Sequence, residues 1–401
     1  MILPRLRPDL DVSRSPVEER PGLLLRDFFR YSEAVLIIPP LLVPGLPCFD
    51  GKRTELELEA ELTRSSGSPE IANAAGHLIE ALSTAGFLED ETYATLKQRR
   101  LSAFVESPVL HASHAGSAYP AEIEPLRRVM QGYLQGAEPT QLGLMGIAAP
   151  HVSPEGGWQS YRAAYQELTP ALSDRTFVVL GTSHYGQPNK FGLTRKPYET
   201  PFGQSVVDLA LVDELATQPA ALMEDYCHAV EHSIEFQVVF LQAIYGPGVR
   251  VVPILCGSFG RSVYAGGAPE DDREVRQFLD RLGAIAAREK DRLFWILGVD
   301  MAHMGLRYGD TFEAHANRDE MTVVGQQDQL RLERVLTSDA RGFWDLVKQN
   351  RHDDLKWCGS SPIYTFMKAV PEARGTLLRY EQWNIDENSV VTFAGLSFQA
   401  H

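Results

Sequence analysis

Apolar positions divide the chain into two stretches with different periods. From Leu24 the chain reads as extended apolar residues up to Phe49, a turn at Asp50-Gly51, and then helical spacing to about Glu106. Leu56, Leu58 and Leu62 mark the apolar side of a first helix, and Thr54 stands where an N-cap is needed. A second helix is expected from Pro69 to Ala85, with Ile71, Leu78, Ile79 and Leu82 on one face and Gly86 as its C-terminal stop. Phe87-Leu88 begins a hydrophobic return. Beyond Ser107-Pro108 the pattern changes to short, nearly continuous apolar runs that alternate with helical segments. Runs of that kind are strands buried on both faces, as in a mostly parallel sheet covered by helices. Strands are expected at Gly143–Ala149, Thr176–Leu180, Arg250–Leu255, Leu293–Val299 and Val390–Phe398. Helices are expected at Pro120–Gln135, Gln159–Leu168, Val206–Gln218, Ser233–Tyr245, Asp272–Ala287 and Pro362–Ala369. The reading is an α/β domain over 108–401, with a mostly parallel central sheet flanked by helices. A small α+β, winged-helix-like domain over 1–106 precedes it, the alternative being a plain helical cap on the larger domain.

Composition narrows the function classes. A chain of 401 residues exceeds one ordinary domain of roughly 150 residues, which agrees with two units. A formal charge of −15 with no basic stripe argues against nucleic acid, whose phosphates require one. The most apolar stretch, Ala34 to Phe49, is interrupted by four prolines and is too short for a spanning helix of roughly 20 residues, so no membrane anchor is expected. Met1 to Leu10 carries arginines, an aspartate and prolines where a secretory signal needs an apolar core. Cys48, Cys227, Cys256 and Cys358 stand far apart with no CxxC pair, which argues against a disulfide framework and an all-cysteine zinc site and fits a reducing cytoplasm.

The chemistry lies in the histidines. Ligands of open α/β sheets bind outside the carboxyl ends of the strands. Three expected strands each deliver a histidine there: His151 after Gly143–Ala149, His184 after Thr176–Leu180, and His303 shortly after Leu293–Val299. His232 follows as a fourth, at the start of a helix. Neutral imidazoles with one anionic group make an open first-row metal site; the same residues without metal make an acid/base pocket. Glu231 and Glu235, on one face if the helix has begun, and Asp300, three residues before His303, are placed to orient imidazoles. Cys358 precedes a helix N-terminus, a setting for a thiolate ligand, although most free cysteines are simply small buried hydrophobes. His228 and His232 have HxxxH spacing, but His228 falls in the preceding loop and is expected at the surface. The turns at Glu155-Gly156-Gly157 and Gly266-Gly267 match no nucleotide-binding pattern, no GxSxG elbow is present, and Ser113-His114 reads as a loop packed near the pocket.

With these residues the chain resembles the Memo family, whose members look like the class III (LigB-type) extradiol dioxygenases. The resemblance covers most of 110–401. It begins with His114-Ala115-Gly116-Ser117-Ala118-Tyr119-Pro120, Ala149-Pro150-His151 and Leu180-Gly181-Thr182-Ser183-His184. Tyr198-Glu199-Thr200-Pro201, Glu231-His232-Ser233-Ile234-Glu235 and Val252-Pro253-Ile254-Leu255 follow. Asp300-Met301-Ala302-His303-Met304-Gly305, Cys358-Gly359 with Pro362, and Ser389-Val390 to Gly395 complete it. The resemblance implies His151, His184 and Cys358 as metal ligands, His303 as an acid/base, and Asp300 and His232 at other positions of the pocket. This chain departs from the family pattern where Val152-Ser153-Pro154-Glu155 replaces a short Gly-Tyr turn, where Tyr185 follows His184, and where Ser360-Ser361 replace an Arg-His pair. The first unit is similar to the small peptide-recognition domains related to PqqD, in which an Asp-Gly turn precedes the helices.

Two functions follow as expectations. One is a metal-dependent oxidoreductase, with iron or copper, acting on a small molecule or a peptide. The other is a non-catalytic peptide- or protein-binding member of a modification system that includes a radical SAM partner; the chain itself has no CxxxCxxC cluster motif. A hydrolytic metal site is a third reading.

Overall fold

A computed structural model describes residues 1–15, 17, 19–136, 139–140 and 143–400. The chain falls into two compact units, Met1–Ser107 and Pro108–His401.

In the first unit, β1 (Leu10–Arg14), β2 (Leu23–Asp27) and β3 (Val35–Ile38) form an antiparallel sheet in that order. Three helices follow: α1 (Glu55–Ser66), α2 (Ala74–Thr84) and α3 (Glu91–Glu106). Thr54 caps α1 in a reciprocal capping box, Glu57 N–H donating to the Thr54 hydroxyl and Thr54 N–H to the Glu57 carboxylate. Leu58 and Leu62 are fully buried, whereas Leu56 is 74% exposed, because two residues along a helix turn a side chain roughly 200° away. The expected second helix opens as a 3-10 turn over Pro69–Asn73 before α2 begins. Gly86, at φ 69°, then reverses the chain after it. The extended stretch stops at Ile38, and Val43–Cys48, which holds Pro44 and Pro47, winds into a 3-10 turn. Helix α3 escapes the hydrophobic pattern because Phe104 is its one buried residue. Buried Arg7 ties the unit together, donating to both oxygens of buried Asp27 and to the Gly86 carbonyl.

The second unit is built on a ten-stranded sheet. Its centre consists of β4 (Leu144–Ala149), β5 (Thr176–Thr182), β6 (Arg250–Cys256) and β7 (Leu293–Gly298), all parallel, in the order β6-β5-β7-β4. A long hairpin, β8 (Ala373–Asp386) with β9 (Ser389–Ala400), joins antiparallel through β9 against β4. Helices flank the sheet, among them α4 (Pro154–Tyr165), α5 (Glu235–Tyr245), α6 (Arg273–Arg288), α7 (Glu320–Leu336) and α8 (Ser360–Ala369). The mixed α/β architecture is thus the expected one. Among the described residues no helix is long and apolar enough to cross a membrane.

Several element limits differ from expectation for local reasons. Pro154 opens α4 at its first turn, so Gly156-Gly157 are helical and do not form a turn. Glycine is needed there because a Cβ at residue 156 would lie 2.5 Å from the Trp383 ring. Val206-Val207 pair with β6 as a short strand, and Asp208 caps the helix that follows. Helix α5 begins at Glu235, so Glu231 remains in the loop and shares no helix face with it. Helix α7, the helix Ala340–Val347 and strand β8 were not anticipated. The polar residues of α7 and the half-exposed alternation of β8 mask their periods.

Candidate metal centre

The loops leaving β4, β5 and β7 emerge side by side because those strands are parallel neighbours. They carry His151, His184 and Asp300 to one edge, and the turn before α8 brings Cys358 to the same place. The donor atoms of His151, His184 and Cys358 all lie within 4.8 Å of one another, with Cys358 Sγ 3.2 Å from His151 Nε2. Bonds of about 2.0–2.1 Å to nitrogen and 2.3 Å to sulfur place tetrahedral ligands roughly 3.5 Å apart, so the donors need only small adjustments to hold one ion.

Both imidazoles are oriented from behind. His151 Nδ1 donates to the Gly298 carbonyl at 2.9 Å, which leaves the Nε2 lone pair facing Cys358. His184 Nδ1 donates to buried Glu231 at 2.8 Å, and the His184 backbone N–H donates to the same carboxylate. Outer carboxylates and carbonyls of this kind set the tautomer of a ligating imidazole. Asp300 Oδ1 accepts the His151 N–H at 2.8 Å and the Val152 N–H at 3.3 Å, while its Oδ2 lies 3.4 Å from His151 Nε2. Gly359 N–H donates to the Asp300 carbonyl at 3.0 Å, an approach so close that a Cβ on residue 359 would stand 2.6 Å from that oxygen.

Charge follows geometry. Burial pushes the Cys358 thiol up, yet His151 and His184 outweigh it and hold the thiol below its ordinary value. Desolvation acts against the His184 imidazolium, but Glu231 and Cys358 keep it well above the usual histidine range. Without a metal the same contacts favour the charged forms of Cys358 and His184 together, and a bound cation would compete with their protons. Burial raises Asp300 to about 6, opposed by His303 and the His151 and Val152 amides. Burial lowers His303 despite Asp300, so its imidazole is neutral at neutral pH.

His303 donates from Nδ1 to the Met301 carbonyl at 2.9 Å, and its ring meets Tyr308 edge-on at 4.9 Å between centroids. Its donor atom, one from Asp300 and Cys358 Sγ also lie within 4.8 Å of one another. The His232 ring stacks on His184 at 5.2 Å and meets His151 edge-on at 5.1 Å. All six expected site residues thus share one neighbourhood. His228 does not. It is buried in the turn Tyr226–Ala229, with Tyr198 Oη 2.8 Å from Nδ1 and the Gly192 carbonyl 3.0 Å from Nε2, which corrects its expected exposure. Ser113 and His114 do pack near the pocket: both donate to buried Glu235, and the His114 ring lies 5.5 Å from that of His232.

One supporting residue went unnoticed in the sequence. Asp328 on α7 is fully buried and accepts from Trp357 Nε1, Tyr380 Oη and Thr392 Oγ1, each at 2.7 Å. Trp357 adjoins Cys358, and the Thr392 hydroxyl accepts the N–H of Ala302, which lies between Asp300 and His303. A single carboxylate therefore braces both loops of the site. The readable signal was an aspartate on the stripe Met321, Val324, Asp328, Leu332 and Val335, all of which are buried.

The fold and site define an α/β protein with a histidine and cysteine donor set at the strand carboxyl ends. A family model described as Memo-like protein matches residues 111–397, and the chain belongs to the Memo family. A MEMO1 family protein of Aquifex aeolicus is 24% identical over 386 residues, 94% of this chain and 95% of the relative. That share requires most of the first unit to be matched as well. A protein memo-1 homolog of Caenorhabditis elegans is 28% identical over 273 residues, 66% of this chain and 71% of its own. A MEMO1 family protein of Thermococcus kodakarensis is 28% identical over 308 residues, 99% of its own length and 73% of this chain.

Proposed function

We propose that this Memo family protein is a metal-dependent oxidoreductase of the cytoplasm, with iron or copper held by His151, His184 and Cys358, acting on a small molecule or a peptide. The observation that carries the reading is the convergence of two imidazoles, each with its own supporting partner, and a thiol that those imidazoles hold below its ordinary value. The donors fit such an ion: mixed nitrogen and sulfur ligands suit a redox-active first-row metal and leave a position for substrate. A bound iron or copper supplies one-electron chemistry and activation of an oxidant. The rest falls to the chain. His303, neutral and fixed by the Met301 carbonyl, accepts a proton at Nε2, and Asp300, titrating near 6, exchanges one at its carboxylate. Glu231 holds His184 in place throughout.

A binding role is the second reading, and the first unit favours it. Strands β1 and β3 form the two edges of its sheet, and an edge offers unpaired backbone groups on which an extended peptide adds as a strand. In that reading the unit is PqqD-like, presenting a peptide within a pathway that includes a radical SAM enzyme, with no nucleic acid involved.

The deciding experiment is elemental analysis of tag-free protein purified without added metal, beside the His151→Ala, His184→Ala double variant. Near-stoichiometric iron or copper that disappears in the variant supports the metalloenzyme. A wild type that is metal-free and takes up neither ion refutes it and leaves the binding reading.

A further inference from the structure

A metal held by Cys358 is held by a thiolate, and an oxidant activated there carries the sulfur to sulfenic acid and then, irreversibly, to sulfinic acid. The side chains beside Cys358 include an electron donor placed to react first.

Trp357 precedes Cys358 in the chain and is almost wholly buried. Its indole N–H donates to Asp328 Oδ1 at 2.7 Å, and the Tyr380 hydroxyl donates to Asp328 Oδ2 at 2.7 Å, so a single carboxylate separates the indole nitrogen from the phenol oxygen. Tyr380 stands on β8 and is partly exposed. Gly325 of α7 lies beside its hydroxyl, where a Cβ would stand 3.6 Å from Oη, so α7 places no side chain over the phenol at that point. Tryptophan, aspartate and tyrosine thus form a line from the neighbour of a metal ligand to the surface.

Each member suits the passage of an electron. Indole and phenol rings give up a single electron more readily than other side chains apart from thiolates. A phenol that loses an electron also loses its proton, and a hydrogen-bonded carboxylate receives that proton on the spot. Burial raises Asp328 against the pull of its donors, which strengthens it as a base. Desolvation and the Asp328 charge hold Tyr380 well above the ordinary phenol range, so its proton stays until an electron leaves. The Arg331 guanidinium lies 5.4 Å from the Trp357 ring and opposes a positive charge resting on the indole, which drives the oxidation onward to Tyr380.

We propose that Trp357, Asp328 and Tyr380 form a relay that carries an oxidising equivalent away from Cys358 to the protein surface. The relay rests on the metal-dependent oxidoreductase reading. With hydrogen peroxide as oxidant, breaking the O–O bond to give two waters takes two electrons and two protons. Ferrous iron gives one electron and becomes ferric; Tyr380 gives the other by way of Trp357. The Tyr380 proton passes to Asp328, which leaves a neutral phenoxyl radical beside a neutral carboxyl group, and the solvent supplies the two protons of the waters. A soluble one-electron reductant such as ascorbate returns the electron at the surface, and Asp328 returns the proton. Bracing of the two loops needs the same hydrogen bonds but moves no electron, so the radical distinguishes the two roles.

The test is rapid-freeze electron paramagnetic resonance of the full chain, loaded with ferrous iron in the absence of oxygen, assayed for iron, and mixed with hydrogen peroxide. A tyrosyl signal is expected, and it should narrow when ring-deuterated tyrosine is incorporated. Tyr380→Phe keeps the ring and should lower the signal about fivefold or more, while sulfinic acid at Cys358, read by mass spectrometry, rises about threefold or more. Asp328→Asn keeps an acceptor for the indole but lacks the base, and it should act in the same direction on both readouts. Thermal melts of the two variants should lie near that of the wild type. An iron-loaded wild type that gives no tyrosyl signal, a signal undiminished in Tyr380→Phe, or equal Cys358 oxidation in all three proteins overturns the relay alone. A wild type that takes up no iron refutes the metal reading at the first step, and the relay falls with it.

Discussion

Replacing Asp328 tests whether one buried carboxylate braces the site. In Asp328→Ala, Trp357 Nε1 loses its acceptor inside the core, and the fully buried Thr392 hydroxyl loses the oxygen to which it donates. Each buried donor left without a partner costs about 1–3 kcal/mol. Tyr380 adds less, because it also accepts from Gln382 and is partly exposed. The hole left by the carboxylate adds a packing loss, for a total of about 3–6 kcal/mol. Asp328→Asn keeps an acceptor for the indole and removes a carboxylate that burial already disfavours, so it should stay within about 1–2 kcal/mol of wild type. Urea denaturation followed by circular dichroism gives both values. The rate of Cys358 alkylation, measured below the unfolding transition, reports whether the turn beside Trp357 has loosened, and it should rise in the Ala variant. An Ala variant within about 1 kcal/mol of wild type, or one as destabilised as Asn, would refute the bracing role.

Asp300 supplies a pH test. Its folded value of about 6 lies above the ordinary 3.8, so its favourable contribution is complete below 3.8 and is lost as pH rises through 6. Ionised Asp300 therefore costs the metal-free protein about 3 kcal/mol at neutral pH. Asp300→Asn should raise the metal-free urea midpoint at pH 7.5, with the gain vanishing toward pH 4; a gain independent of pH contradicts this assignment. Glu231→Gln should weaken metal affinity about 10- to 100-fold by releasing His184, as read by competition with a chelator of known affinity. Gly156→Ala should cost about 1–3 kcal/mol through the Trp383 ring, and Gly156→Ala with Trp383→Leu should recover part of that loss in thermal melts.

The first-order placement of the site was written in the chain itself. A run such as Thr176–Thr182, buried at every position, can only be an interior strand, and a histidine just beyond such a run must emerge at the carboxyl edge of the sheet. Thr54 and Glu57 likewise declare a helix start through bonds that span three residues. Partners remote in sequence were beyond such reading. Glu231 reaches His184 across 47 positions, Asp300 reaches His151 across 149, and Cys358 reaches His151 across 207. His228 and His232 differ by one helical turn in the sequence, yet one is locked in the core between Tyr198 and Gly192 and the other stacks on His184. Local patterning determines which edge of the sheet a residue occupies, because strand and helix periods are properties of neighbouring residues. Only the tertiary structure decides which proton a group holds and which partner fixes it, because desolvation and charge depend on atoms that folding alone brings within 3 to 4 Å.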